Sequence, residues 1–251
     1  MTKLIINSDD FGYSRAVNYA VIDAHQEGIL TSASILTNTS SFDHAIQLAK
    51  DHPNLGIGIH LNITSLQPLR KDVPSLVDEM GKFYRPDAYR KGHTIADVDD
   101  LYKEWDTQIK RVIDAGIQPT HLNSHHNASY FNDHHLDVFI DLADKYKLAV
   151  RGNFESDRPH RAPEYFEPAF DTVHLLENGD ETLFLNNLIS KIKDKESAEI
   201  KCHVGYIDQL LHESSSFTEP RIYQTQLLID SPFADQIRAD KEIELVTYAD
   251  I

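Results

Sequence analysis

Seven short apolar runs, separated by segments with helical periodicity, constrain the fold of this 251-residue chain more than any other feature. Several runs are rich in Ile, Leu and Val with little alternation, which is typical of strands covered on both faces. Regular alternation of strand and helix predicts a parallel sheet. The predicted strands are Lys3–Ser8, Ser32–Thr37, Gly56–Ile63, Gln118–Asn123, Leu148–Gly152, Ala198–Val204 and Glu242–Tyr248.

Helix signals fill the intervening segments. Ser14–Glu27 begins with a serine at the N-cap position and ends before Gly28, a candidate C′ glycine. Apolar residues recur at helical spacing along Ile95–Ala115, and Gly116 ends that helix. The other predicted helices are Phe42–Asp51, His134–Tyr146, Glu181–Asp194, Arg221–Ile229 and Pro232–Arg238.

This pattern favours an α/β fold in which about seven parallel strands form an irregular, TIM-like (β/α) barrel. A doubly wound open sheet is the alternative, because sequence does not reveal strand order. We expect residues 1–251 to form one domain, since no repeat, low-complexity tract or linker interrupts the pattern. Two proline-containing insertions, Ser65–His93 and Arg151–Asp171, follow the third and fifth strands, where long loops usually shape a substrate pocket.

Composition excludes several partners. The net charge of −16 argues against nucleic acid and against an anionic membrane surface, which both need clustered Lys and Arg. Cys202 is the only cysteine, so an internal disulfide and a Cys-based zinc site are excluded. The first residues lack the apolar core of a signal peptide, and no apolar run approaches the ~20 residues of a membrane span. We therefore expect a cytoplasmic protein.

Three polar clusters lie at the ends of apolar runs, at Asn7–Gly12, Gly58–Asn62 and Thr120–Asn127. Together they offer two carboxylates and several imidazoles, which is the ligand set of a divalent-metal site with acid–base groups beside it. In a barrel of parallel strands, the carboxyl ends converge on one mouth, so residues far apart in sequence can meet there. The clusters therefore predict a metal site at the mouth.

The first cluster contains the adjacent carboxylates Asp9 and Asp10. Neighbouring residues in a regular strand point to opposite faces, so both can reach one site only at a strand end. The following Phe11 and Gly12 permit the necessary turn. One carboxylate can then bind a metal while the other handles a proton. A role in helix capping or in a solvated turn is the alternative.

The histidines divide into candidate ligands and candidate supports. His60 alone would more often be a core histidine, but Asn62 lies two positions on and on the same face. We predict strand for His121 and loop for His125, which makes His125 the ligand. His121 then either supports a ligand or is brought in by a bend. Surface histidines on a polar loop are the alternative.

The sixth predicted strand ends in Cys202 and His203. A cysteine nucleophile with a histidine base is one reading. Sequential neighbours on a strand point apart, and a lone buried cysteine is usually inert packing. We therefore favour His203 as a general acid facing the mouth.

Through these motifs the chain resembles the YdjC-like carbohydrate deacetylase family, which includes chitooligosaccharide deacetylases. The matching pieces are Asn7–Gly12, Gly58–Leu61, Thr120–His126 and Cys202–Gly205, and the similarity continues through Pro220–Arg221. The resemblance implies a (β/α) barrel that removes an N-acetyl group from an N-acetylated amino sugar or chitooligosaccharide, with or without a phosphate group. The resemblance and the size of the chain also suggest a homodimer, and the implied substrate is a small-molecule carbohydrate.

The resemblance also implies roles for individual residues. Asp10, His60 and His125 would bind one divalent metal ion, Asp9 would be the general base, and His203 would be the general acid. Two imidazoles favour zinc, cobalt or nickel, whereas a water-rich site with one carboxylate suits magnesium, so we keep Mg or Zn.

Four further polar residues near the motifs are assigned to substrate binding. They are His121, His126, Asn62 and Arg151.

Three positions depart from the family pattern. Family members usually carry Asp where this chain has Asn123, a further His in place of Asn127, and Pro in place of Val204. No proposed metal ligand is altered, so we expect the metal site to be retained. The two asparagines can change the hydrogen bonds to a ligand histidine.

Two other functions remain open from the residues. A metal-dependent phosphoesterase on a similar barrel would need basic groups for phosphate, and the candidates are Arg70, Lys71, Arg151 and Arg158. A non-catalytic sugar-binding protein is the second alternative.

Overall fold

The structure, a computed structural model, describes residues 1–152, 154–176 and 179–251. Within these residues there are eight strands and nine α-helices. The strands are β1 Thr2–Phe11, β2 Ser32–Ile35, β3 Gly56–Leu61, β4 His121–Ser124, β5 Ala149–Val150, β6 Tyr165–Glu167, β7 Ser197–Cys202 and β8 Ile243–Leu245. The helices are α1 Arg15–Gln26, α2 Phe42–Asp51, α3 Pro86–Arg90, α4 Val98–Asp114, α5 Asp133–Tyr146, α6 Asp180–Lys193, α7 Gln209–Ser214, α8 Glu219–Ile229 and α9 Pro232–Ala239.

All strand pairings are parallel, in the order β5-β4-β3-β2-β1-β7-β6. The last strand, β8, pairs with Thr2–Leu4 at the start of β1, whereas β2 pairs with the end of β1, from Asn7 onward. The sheet curls into an irregular barrel, since Arg151 after β5 donates to Glu199 on β7. Among the described residues no ladder joins β5 to β6, so the barrel is open there. This confirms the predicted α/β barrel and excludes the open doubly wound sheet.

The seven predicted strands all exist, with ends that differ by a few residues. The sequence interpretation missed β6, because Tyr165–Glu167 is only three residues long and lies inside the predicted insertion Arg151–Asp171. It also missed α3, which lies inside the insertion Ser65–His93, and α7. The strand β6 matters for function, since it pairs with β7 and leads directly into a segment at the barrel mouth.

Helix α4 shows how the pattern of apolar residues becomes the core. Leu101, Trp105, Ile109 and Val112 are all fully buried, as their helical spacing predicts. Gly116 follows the helix with a positive φ of 86°, which confirms it as the stop. Gly28 has no positive φ; a Cβ there would lie 2.4 Å from the Ala24 carbonyl oxygen, so close packing requires this glycine.

In the described part of the chain, no helix combines the length and the apolar character that crossing a bilayer would require.

Candidate metal centre at the barrel mouth

A turn at the end of β1 brings two neighbouring carboxylates to the same site. Asp10 has a φ of 67°, and the pairing of β1 with β2 shifts register between Ser8 and Phe11. This left-handed residue breaks the strand alternation, so Asp9 and Asp10 both line the same cavity. Gly12 completes the turn with a φ of 92°, where a Cβ would lie 2.9 Å from the Leu36 carbonyl oxygen.

The side chains of Asp10, His60 and His125 converge on one point. Asp10 Oδ1 lies 3.2 Å from His125 Nδ1 and 3.4 Å from His60 Nε2, and the two nitrogens are 3.3 Å apart. Ligands about 2.1 Å from a tetrahedral zinc ion are about 3.4 Å from each other, so a divalent ion fits the triangle. All three residues are buried, and this group could hold a metal ion.

One imidazole of the triangle is oriented by a hydrogen bond from outside it, and the carboxylate oxygen of the triangle is unpaired. The Asn123 Oδ1 atom accepts from His60 Nδ1 at 2.6 Å, which directs the lone pair of His60 Nε2 toward the other two ligands. Asp10 Oδ1 is buried without a hydrogen-bond donor of its own. Burial lowers the pKa of His125, which keeps its imidazole neutral. An unpaired carboxylate oxygen facing two imidazole nitrogens is the donor set that a divalent cation satisfies.

Asp10 is also held from its other side. Arg221 Nη2 donates to Asp10 Oδ2 at 2.6 Å. Burial alone would raise the pKa of Asp10, but the Arg221 charge and the His125 imidazole outweigh burial and hold it well below its usual range. The carboxylate is therefore ionised and ready to bind a cation.

Asp9 lies in a different environment, in which every contact is a donor. Arg151 donates to both carboxylate oxygens at 2.8 and 2.9 Å, and the amides of Asn7 and Asn123 donate at 3.1 and 2.9 Å. Burial would raise the pKa of Asp9, but the Arg151 guanidinium outweighs burial and lowers it well below its usual range. Asp9 is thus an oriented carboxylate that is ionised before it meets the substrate.

His203 follows the end of β7 and lines the same cavity as Asp9 and the metal-ligand triangle. Its Nε2 atom is 3.9 Å from Asp9 Oδ2, and its Nδ1 atom donates to Asp171 at 2.8 Å. Lys201 lies 2.5 Å from the other oxygen of Asp171. Burial would raise the pKa of Asp171, but His203 and Lys201 together lower it to about 2. The Asp171 carboxylate therefore fixes the His203 proton on Nδ1 and turns Nε2 toward the cavity.

These groups surround a cavity of about 320 Å³, near the lower end of the range for small-molecule sites. His126 and Asn127, both with left-handed backbone, lie on one side of it. Tyr13 and Phe217 lie on the wall as well.

Three of the four residues assigned to substrate binding are behind this cavity rather than on its wall. Arg151 is buried between Asp9 and Glu199, and His121 is buried in the barrel, stacked 3.9 Å from the Tyr248 ring. Their side chains are satisfied by protein groups. We therefore correct the assignment for these two residues to support of the site.

Asn62 is corrected in the same way. Its side-chain oxygen accepts from the backbone N–H groups of Thr64 and Ser65, so it shapes the loop after β3. Of the four residues assigned to substrate binding, His126 lies on the cavity wall.

The positions that depart from the family pattern keep the site intact. Asn123 bridges His60 and Asp9, and Asn127 lies on the cavity wall. Val204 supplies a backbone N–H to Ser8 Oγ at 3.1 Å, a bond that proline cannot make. Cys202 is buried, and burial raises the pKa of its thiol, which supports the interpretation that it is not a nucleophile.

Sequence reasoning assigned no role to Asp171 or Arg221. Asp171 follows the missed strand β6 in the segment Ala169–Leu175. Arg221 lies in the first turn of α8, where the helix dipole disfavours a positive charge. That unfavourable placement is a signal of function that the sequence contains.

An irregular parallel barrel with a candidate Asp–His–His metal centre at its mouth defines the class of protein. The family model described as YdjC-like protein matches residues 3–239, and the chain belongs to this family. This confirms the resemblance found in the motifs.

Similar proteins cover nearly the whole chain. A carbohydrate deacetylase from Geobacillus stearothermophilus is 38% identical, over 97% of this chain and 96% of its own length. A carbohydrate deacetylase from Halalkalibacterium halodurans is 35% identical, over 94% of this chain and 98% of its own length. A crystal structure of a putative cellobiose-phosphate cleavage protein from Enterococcus faecalis V583 has a TM-score of 0.88 and 32% identity, covering 99% of this chain and 98% of that one.

Proposed function

We propose that this protein is a metal-dependent carbohydrate deacetylase that hydrolyses the N-acetyl group of an amino sugar or chitooligosaccharide. The observation that carries the proposal is the meeting of the Asp10–His60–His125 triangle with Asp9 and His203 in one cavity. Relatives named carbohydrate deacetylase, similar over nearly their full length, support the same activity.

A divalent ion bound by Asp10, His60 and His125 would acidify water and polarise the acyl oxygen. Asp9 accepts the proton of the attacking water as its oxygen bonds to the acyl carbon. The low pKa of Asp9 makes it a weak base. It can therefore take a proton from water only when a cation bound at the neighbouring Asp10 makes that water more acidic.

His203 acts on the other side of the scissile bond. Its Nε2 atom gives a proton to the sugar nitrogen as the carbon–nitrogen bond breaks, so that the amine leaves neutral. The proton that Asp9 takes from the attacking water passes to His203 Nε2, which lies 3.9 Å from Asp9 Oδ2, and Asp171 stabilises the imidazolium so formed. The products are acetate and the free amino sugar.

Arg85 extends the proposal to phosphorylated sugars. It is an exposed arginine on the cavity wall, and its guanidinium makes no hydrogen bond or ion pair with any of the described residues. An unpaired guanidinium is a suitable partner for a phosphate group. The Enterococcus neighbour is described as acting on a phosphorylated disaccharide, which is consistent with this extension.

The four basic residues that the sequence offered for the phosphoesterase alternative, Arg70, Lys71, Arg151 and Arg158, do not line this cavity. Arg70 pairs with Asp72, Arg158 pairs with Asp141 and Asp144, and Arg151 is buried behind the cavity.

Acetate release from a panel of sugars tests the proposal. The panel contains N-acetylglucosamine, diacetylchitobiose and their 6-phosphates, each with and without a chelator. We expect chelator-sensitive acetate release that returns when a divalent metal is added back. We also expect Arg85→Gln to raise KM for phosphorylated members only. Absence of release from folded, metal-supplied protein would contradict the proposal and favour phosphate esters as the next substrates.

A further inference from the structure

Arg221 contributes a second unpaired polar atom to the site. Its Nη2 atom donates to Asp10 Oδ2 and its Nε atom donates to the Phe217 carbonyl oxygen at 2.8 Å. Its Nη1 atom is buried and has no hydrogen-bond partner among the described residues. Asp10 Oδ1 is unpaired as well, so one ion pair presents an unsatisfied acceptor and an unsatisfied donor together.

The position of the Arg221 side chain is built into the fold. Gly205 lies beneath it, and a Cβ there would be 2.9 Å from Arg221 Cδ. The guanidinium carbon lies 5.8 Å from the ring centre of Tyr13 and 5.6 Å from that of Phe217. With 2% of its surface exposed, Arg221 is held in one orientation by its packing and its two hydrogen bonds.

Leaving a buried guanidinium N–H without an acceptor is unfavourable, so its retention calls for a ligand. The ligand must accept a hydrogen bond, and Arg strongly prefers carboxylate-like oxygens. By the same reasoning, the unpaired acceptor Asp10 Oδ1 calls for a cation. The two unpaired atoms together specify an oxygen-bearing group beside the metal-ligand triangle.

We propose that Arg221 Nη1 binds the acyl oxygen of the substrate and, after hydrolysis, the carboxylate of acetate. This inference rests on the proposed deacetylase function. It makes Arg221 a catalytic residue and assigns the acyl end of the cavity to the region between Asp10 and the rings of Tyr13 and Phe217.

The test separates binding of acetate from support of Asp10. Arg221→Lys keeps a cation for Asp10 Oδ2 but loses the planar pair of donors. Metal affinity is measured by competition with a chromophoric chelator, and acetate affinity by NMR titration of ¹³C-acetate into zinc-loaded protein. Arg158→Lys, on the surface, is the matched control.

We expect Arg221→Lys to keep metal affinity within about threefold and to weaken acetate binding by about tenfold or more, the size of a charge-assisted hydrogen bond. Unchanged acetate affinity would overturn the proposal. Parallel loss of metal and acetate would also overturn it, because Arg221 would then only hold Asp10.

Gly205→Ala is the second variant, in case Arg221→Lys does not fold. The new Cβ displaces the guanidinium without removing its charge. We expect weaker acetate binding with metal retained, and parental acetate affinity would overturn the proposal. Failure of the proposed function is recognised separately, since the parent protein would then release no acetate from any sugar.

Discussion

Asp9 and Asp10 are adjacent in the chain, yet their surroundings differ. Every oxygen of Asp9 accepts from a protein donor, namely Arg151 or the amides of Asn7 and Asn123. One oxygen of Asp10 is paired with Arg221, and the other is left unpaired between two imidazoles. The protein thus completes one carboxylate by itself and leaves the other to be completed by a cation. This difference is the physical basis for assigning the proton to Asp9 and the metal to Asp10.

The largest expected effect comes from removing a ligand on the Asp10 side. His125→Ala leaves two ligands, so we expect loss of bound metal and a fall in acetate release of more than about 10³-fold. Metal content after dialysis and initial rates check this. His134→Ala, an exposed histidine near the start of α5, is the matched control. Normal metal content in His125→Ala would remove the basis of the metal-site assignment.

On the Asp9 side, Arg151→Lys weakens the bidentate contact that orients the carboxylate. We expect kcat to fall about a hundredfold with metal content unchanged, because Arg151 touches no residue of the triangle. The change also weakens a buried ion pair, so thermal unfolding must be measured beside the kinetics. Arg158→Lys is the surface control. Loss of metal with kcat retained would contradict the assignment of the proton to Asp9 and of the metal to Asp10.

Asn123 joins the two sides, so Asn123→Asp sharpens the comparison. An Asp carboxylate still accepts from His60 Nδ1 but cannot donate to Asp9, and it adds a like charge that raises the pKa of Asp9. We expect metal affinity to stay within about tenfold. Since Asp9 must be ionised to act, the acid limb of kcat should move to higher pH.

Asn54→Asp, on the surface, is the control for this change. If Asn123→Asp binds metal more weakly but the acid limb of its kcat–pH profile does not shift, Asn123 supports His60 and not Asp9.

The smallest expected effect concerns stability at acid pH. The pKa of Asp171 is about 2 in the folded protein against an ordinary 3.8, so its stabilisation is fully present above about pH 4 and is lost as pH falls toward 2. The free energy of unfolding of the parent should therefore fall between pH 4 and pH 2 by up to about 2 kcal/mol more than that of Asp171→Asn. Urea unfolding at several pH values measures it, with Asp137→Asn as an exposed control. Equal slopes for parent and variant would contradict the ion pair with His203.

The sequence predicted the barrel because strand–helix alternation and strand-end polar clusters are local patterns. Asp10, His60 and His125 were found since each ends or follows an apolar strand. Arg151 could not be placed correctly, because its direction depends on Glu199, which only the curling of the sheet brings beside it.

Other parts of the site needed the tertiary structure. Asp171 follows a three-residue strand that is too short for any periodicity to reveal. Arg221 reaches Asp10 across 211 positions of sequence, and only its unfavourable place at a helix N-terminus indicated a role. Gly58 shows the same limit: a Cβ there would lie 2.2 Å from the His121 ring, a constraint visible only in three dimensions.

Metal content and turnover of Asp9→Asn and Asp10→Asn, measured side by side, test the central claim most directly. The two substitutions are chemically identical and lie at adjacent positions. We expect Asp10→Asn to lose both metal and acetate release, and Asp9→Asn to retain one equivalent of metal while losing turnover. Equal metal loss in both variants, or parental turnover in Asp9→Asn, would contradict the division of roles between the two carboxylates.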